Sequence, residues 1–382
     1  MSGRFVRSVC TAAVMAVGAA LALPAQPVAA APAAPPGQTV SALLNRLQTL
    51  YRKAEEATET YNATEEKLKK QRTEVDRLGE DLATARIALN AGRNDAGRLA
   101  REQYRTGGGG ALSPYMRFLL SGDPQQALDQ GHEINRAAGR RATTVDRLSA
   151  GASRTAKLAS QARDALNVQQ ALAATQKRQR DDVRKRLDEV ERLLSSLTGE
   201  QLAELRRLEQ KDIGAAQAKL LSSGTLGGSR TPSAAGGRAL EYAFRQIGKP
   251  YIWGAAGPDA FDCSGLTSQA WAHAGDEIPR TSQEQWKSLP RVPLSQLRPG
   301  DLIIYFEGAT HVALYIGNGQ VVQAPRPGGY VKVSPIAANP LLGAVRPDAG
   351  QASLASYVPP ALPEGAGSGS DAGYGSAGAP GR

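Results

Sequence analysis

Phe261-Asp262-Cys263-Ser264-Gly265-Leu266-Thr267-Ser268-Gln269-Ala270-Trp271 carries one of the two cysteines of the chain, and the other, Cys10, lies in a leader expected to be removed. An exported protein left with one thiol cannot use it for an internal disulfide, so that thiol is either an inert core residue or a reactive one. Leu266 and Ala270 share a helical face and Gly275 suits a left-handed C-terminal position, which predicts a helix opening at about Cys263 and stopping near Gly275. Cys263 then sits in the first turn. Unpaired N–H groups and the positive end of the helix dipole there favour the thiolate and make the sulfur nucleophilic near neutral pH. A buried structural cysteine is the competing reading, because free cysteine is among the most buried residue types.

An acyl-transfer cysteine needs an imidazole, and the histidines are His132, His273 and His311. His273 falls near the end of the cysteine's own helix and cannot fold back on its first turn, and His132 lies in a distant helical segment. His311 is therefore the expected base. Asp301 to Phe306 reads as a buried strand, and His311 to Ile316 alternates, with Val312, Leu314 and Ile316 on one face. Gly317 to Gly319 turns the chain back into Gln320 to Ala324. A two-residue turn would put Gln323 on the far face from His311, whereas a three-residue loop with Gly319 left-handed brings Gln323 diagonally beside it. In the second register Cys263 is the nucleophile, His311 moves its proton and Gln323 orients the ring, with the Cys263 N–H as one oxyanion donor.

Lys249-Pro250-Tyr251-Ile252-Trp253-Gly254, Asp262 to Leu266, Pro279 to Gln285, Arg298-Pro299-Gly300-Asp301-Leu302 and His311 to Gly319 follow one another in the order found in NlpC-type cysteine peptidases, which this part of the chain resembles. That papain-like family cleaves peptidoglycan stem peptides. The resemblance implies hydrolysis of the bond between D-glutamate and a diamino acid, with Cys263, His311 and Gln323 as catalytic residues. Relatives usually carry histidine at the third position, so Gln323 is a departure. It also implies that Tyr251, Asp262, Ser264 and Arg280 line the substrate groove. The rival from another class is a non-catalytic wall-binding adaptor that recruits or activates another hydrolase.

Outward from this domain, expected over residues 238–348, the sequence changes character. At 382 residues, with 41% apolar but only 5% aromatic content, the chain predicts at least two folded units and much long helix. Leu43, Leu47, Leu50, Ala54, Ala57, Tyr61, Leu68, Val75, Leu78 and Leu82 recur at heptad-like spacing, and a second such run extends from Ile134 to Leu197. Two long helices joined by a short connection predict an antiparallel coiled-coil hairpin over 38–220, so the fold class is α + β: a hairpin, then a small papain-like domain. At the bend, Tyr115, Phe118, Leu119 and Leu120 form either a docking surface or a cap on the hairpin. A coil ahead of such a domain resembles septal hydrolases of the Rip type, which implies the division transporter proteins FtsE and FtsX as partners at this bend, and wall remodelling during cell separation.

Residues 221–237 read as a flexible linker and 349–382 as a disordered tail. Arg4 and Arg7 precede an apolar run from Val9 to Leu23 and a small-residue, proline-rich stretch, which reads as a secretory signal peptide over 1–31. The expected location is outside the cytoplasm, at the wall or membrane surface. A net charge of +10 then points to anionic wall polymers or headgroups rather than nucleic acid. Neither a metal site nor a cofactor motif is expected. Because an unrestrained wall hydrolase endangers its cell, the coil or linker is expected to cover the groove at rest.

Overall fold

The computed structural model describes residues 39–107, 116, 120, 122 and 124–368. The signal peptide, most of the bend near Tyr115 and the last residues of the tail lie outside them.

Helices α1 (Val40–Gly107) and α2 (Pro124–Ser195), of 68 and 72 residues, each run about 100 Å at ~1.5 Å per residue. They pack antiparallel: Gln71 Nε2 donates to the Ala165 carbonyl at 3.0 Å, Tyr61 OH lies 3.5 Å from Gln176 Nε2, and Gly92 faces Leu148. Leu47, Leu68, Leu78, Val183 and Val190 are buried along this seam, at positions the apolar spacing picks out. Thr198 then caps α3 (Gly199–Ser222) in a reciprocal box with Gln201. That helix doubles back so that Leu205 closes a cluster with Leu43, Leu44, Leu47 and Tyr51.

The C-terminal domain comprises α4 (Ala234–Phe244), α5 (Cys263–Ala274), α6 (Ser282–Ser288) and six strands: β1 (Arg291–Val292), β2 (Leu302–Tyr305), β3 (His311–Gly317), β4 (Gln320–Gln323), β5 (Lys332–Pro335) and β6 (Leu341–Val345). They form one antiparallel sheet in the order β1-β6-β2-β3-β4-β5. Leu266, Ala270 and Trp271 of α5 press on Leu302, Ile304, Val312 and Leu314, fixing the cysteine helix against the histidine strand. Full burial of each large side chain contributes about 1.5–3 kcal/mol. The opposite sheet face buries Ile303, Tyr305, Ala313 and Tyr315 under Leu220 and Leu226.

Two boundaries differ from the sequence reading. Ser233, expected in the linker, is the buried N-cap of α4 and bonds Asp348, and Ala235 is buried in the core. The domain therefore begins earlier, because Ser233, Ala235 and Gly236 are small enough to pack where they were read as flexible. Residues 349–368 were expected to be disordered, yet the Leu354 N–H donates to the Pro232 carbonyl, Arg298 Nη1 to the Gln351 carbonyl, and the Val333 N–H to the Ala366 carbonyl. Hydrogen bonds made by this stretch's own backbone groups, which any residue carries, hold it on the domain.

Candidate active site

Cys263 is the first residue of α5. Asp262 caps the helix with extended backbone, its Oδ1 accepting the Gly265 N–H at 2.6 Å, and Gly275 ends it in the left-handed region at φ 95°. A side chain at residue 265 is excluded, since its Cβ would stand 2.2 Å from the Ala255 carbonyl oxygen. The buried sulfur shares a core cluster with Val312, which sets α5 against the first residues of β3.

His311 opens β3, and its Nε2 lies 2.7 Å from Gln323 Oε1. An amide oxygen only accepts, so Nε2 carries the ring proton and Nδ1 keeps its lone pair for work. The strand register explains the pairing. Leu314 stands opposite Val322 and Tyr315 opposite Val321, then an irregularity at Ile316 shifts Gly317 onto Gln320. The turn itself is the two-residue Asn318-Gly319, both residues left-handed, while the bulge restores the register that brings Gln323 beside His311. His273 stacks on Tyr242 at 4.0 Å and bonds its own helix, and takes no part in the site.

The residues expected to line the groove are gathered here. Arg280 reaches both Asp262 oxygens, at 3.0 and 2.7 Å, and Ser264 Oγ at 2.9 Å, and Tyr251 is buried in the same core cluster as Cys263. A model of the NlpC/P60 family matches residues 248–342. Those residues form an NlpC/P60 domain. Probable endopeptidase Cgl2188 of Corynebacterium glutamicum is 51% identical over 94 residues, 24% of this chain and 45% of that protein. Peptidoglycan endopeptidase RipB of Mycobacterium tuberculosis is 40% identical over 143 residues, 33% of this chain and 59% of that one. The chain thus spans about half the length of these relatives. The solved NlpC/p60 domain of peptidoglycan hydrolase SagA is 34% identical, over 29% of this chain and 97% of that chain, with a TM-score of 0.27. The domain is thus shared with relatives named as endopeptidases, one of them a peptidoglycan endopeptidase.

The groove of the NlpC/P60 domain is filled by α1. Glu59 Oε1 accepts from Ser264 Oγ at 2.7 Å and lies 3.8 Å from Cys263 Sγ, while its Oε2 accepts the Ser282 N–H at 2.8 Å. Asn62 Nδ2 donates to Asp262 Oδ2 at 3.0 Å, and Tyr61 packs edge-on against Trp253 at 5.1 Å. Glu55 Oε1 faces His311 Nδ1 at 3.5 Å, beyond hydrogen-bond length.

These contacts reverse the electrostatics expected of a helix N-terminus. Burial first, then the charges of Glu59, Asp262 and Glu55, push the Cys263 thiol well above its usual range, so the covered sulfur keeps its proton. Burial likewise pushes Glu55 up to about 8 and Glu59 up to about 7. Sequence reasoning missed Glu55, Glu59 and Asn62. Acidic and amide side chains outside a coil seam read as solvated, and the only signal available was their recurrence on one face with Tyr51 at helical spacing. No group of three or more metal-ligating side chains occurs among the described residues, and no described helix is long and apolar enough to cross a membrane.

Proposed function

We propose that the chain is an exported peptidoglycan endopeptidase that cuts stem peptides between D-glutamate and the diamino acid, and that α1 holds it shut until the hairpin is drawn away. The observation that supports this reading is the packing of Cys263 in one buried cluster with Val312, the residue after His311 on the strand that presents the His311–Gln323 pair. With the groove open, the thiol proton passes to His311 Nδ1 and sulfur adds to the carbonyl carbon, moving the π electrons onto oxygen, where the Cys263 N–H can donate. The C–N bond then breaks as His311 returns the proton to the departing amine. Water, deprotonated by His311, cleaves the thioester and restores the thiol. Gln323 holds the ring in the required tautomer but offsets no imidazolium charge.

Gln323 also favours the second reading, a wall-binding adaptor without turnover. The resemblance of the N-terminal half to Rip-type hydrolases offers FtsE and FtsX as the agents that pull the hairpin away. The test is release of soluble fragments from purified wall by a chain whose α1 and α3 contacts are opened with Glu59→Lys and Glu209→Lys. Cys263→Ala or His311→Ala should abolish it, and release that persists in both variants removes the mechanism.

A further inference from the structure

Arg326 lies in the loop after β4, three residues beyond Gln323, and plays no part in moving protons at Cys263. It is nonetheless buried at 7% exposure, a costly place for a cation unless it meets negative charge. The hairpin supplies that charge. Glu209 Oε1 of α3 faces Arg326 Nη2 at 3.5 Å, Tyr51 of α1 presents its ring 5.0 Å from the guanidinium carbon, and the Arg326 charge also acts on Glu55, the residue beside His311 Nδ1. A cavity of about 790 Å³ is bordered by Tyr51, Glu55, Glu209, Phe306 and Arg326, so this cation and the glutamate beside the imidazole share one space.

The hairpin thus sets one carboxylate against each working part of the domain: Glu59 at the thiol, Glu55 at the imidazole and Glu209 at Arg326. The first two parts perform the chemistry. The third has only a cation to offer, and it lies on the side of the imidazole, which must reach the departing amine. We infer that Arg326 is a specificity-determining residue that binds a free carboxylate on the leaving-group side of the substrate, and that Glu209 occupies its place while the hairpin is down. This rests on the endopeptidase reading for the identity of the leaving group, a diamino acid with a carboxylate besides the one in its peptide bond.

Binding without turnover separates the two ideas. The full chain is opened by Glu59→Lys with Glu209→Lys, opening being read as faster alkylation of Cys263, and Cys263→Ala is then added to stop cleavage. Two stem peptides are titrated that differ only in carrying a carboxylate or a carboxamide on the diamino acid. Arg326→Gln should weaken the carboxylate peptide about tenfold or more, the worth of a charge-assisted hydrogen bond, and leave the carboxamide peptide within about twofold. Arg326→Lys should restore most of the difference. An equal loss for both peptides, or no loss for either, overturns the inference. Failure of the opened chain with Cys263 intact to cut either peptide would instead count against the endopeptidase reading.

Discussion

In the proposed mechanism, catalytic strength turns on Gln323, where an amide dipole stands in place of a charge. Its oxygen satisfies the His311 Nε2–H at 2.7 Å inside a fully buried site, so removing it strands a donor away from water. Leaving a buried donor unsatisfied costs about 1–3 kcal/mol, and Gln323→Leu in the opened chain should lower kcat/KM roughly 10- to 100-fold with little change in KM. An unchanged kcat/KM would mean that the pair does not orient the ring. The pairing of His311 with Gln323 was legible in sequence because few imidazoles were available and the strand alternation limited the partners. Glu55 and Glu59 were not. A glutamate on a long helix is ordinarily solvated, and only a surface about 200 residues away in the chain buries these two.

At the scale of elements, α1 serves two neighbours: one face meets α2 through apolar residues, and another meets the NlpC/P60 domain through Tyr51, Glu55, Glu59 and Asn62. That second face makes the cover pH-sensitive. Lifted into water, Glu55 and Glu59 return towards the ordinary carboxyl value of 4.5, whereas covered they titrate at about 8 and about 7. Below about pH 4.5 both are protonated in either state and the cover is at its firmest. As pH rises towards 8 the lifted state has lost protons that the covered state still holds, so the cover weakens by up to about 1.4 kcal/mol per pH unit for each such proton. Hydrogen exchange at the Ser282 amide, which Glu59 accepts, should lose protection between pH 5 and 8 after correction for intrinsic rates, less steeply in Glu59→Gln. Protection that grows with pH would contradict the assignment. Both ends of α5 were readable from Cys263 and Gly275. The bulge at Ile316 was not, because the same Gly-Asn-Gly turn suits either register and the choice is made by packing across the sheet.

For the molecule as a whole, the hairpin and the NlpC/P60 domain oppose each other: α5 and the sheet hold Cys263 near the His311 strand, α1 covers that thiol and keeps it protonated, and α3 meets Arg326. Heptad spacing and the motif order made both halves visible, while the seating of one on the other depends on polar pairs that no spacing announces. Reversing two of those pairs with Glu59→Lys and Glu209→Lys should raise the alkylation rate of Cys263 at least about tenfold at pH 7, since exposure and removal of the carboxylates act together. An unchanged rate would place the cover elsewhere. The most direct measurement is the mass of the products formed from one defined stem peptide by this opened chain, beside the same chain carrying Cys263→Ala. The account predicts two fragments, one ending in a D-glutamyl carboxyl and the other beginning with the free amine of the diamino acid, and neither from the Cys263→Ala chain. An intact peptide in both reactions, or the same fragments from both, would contradict it.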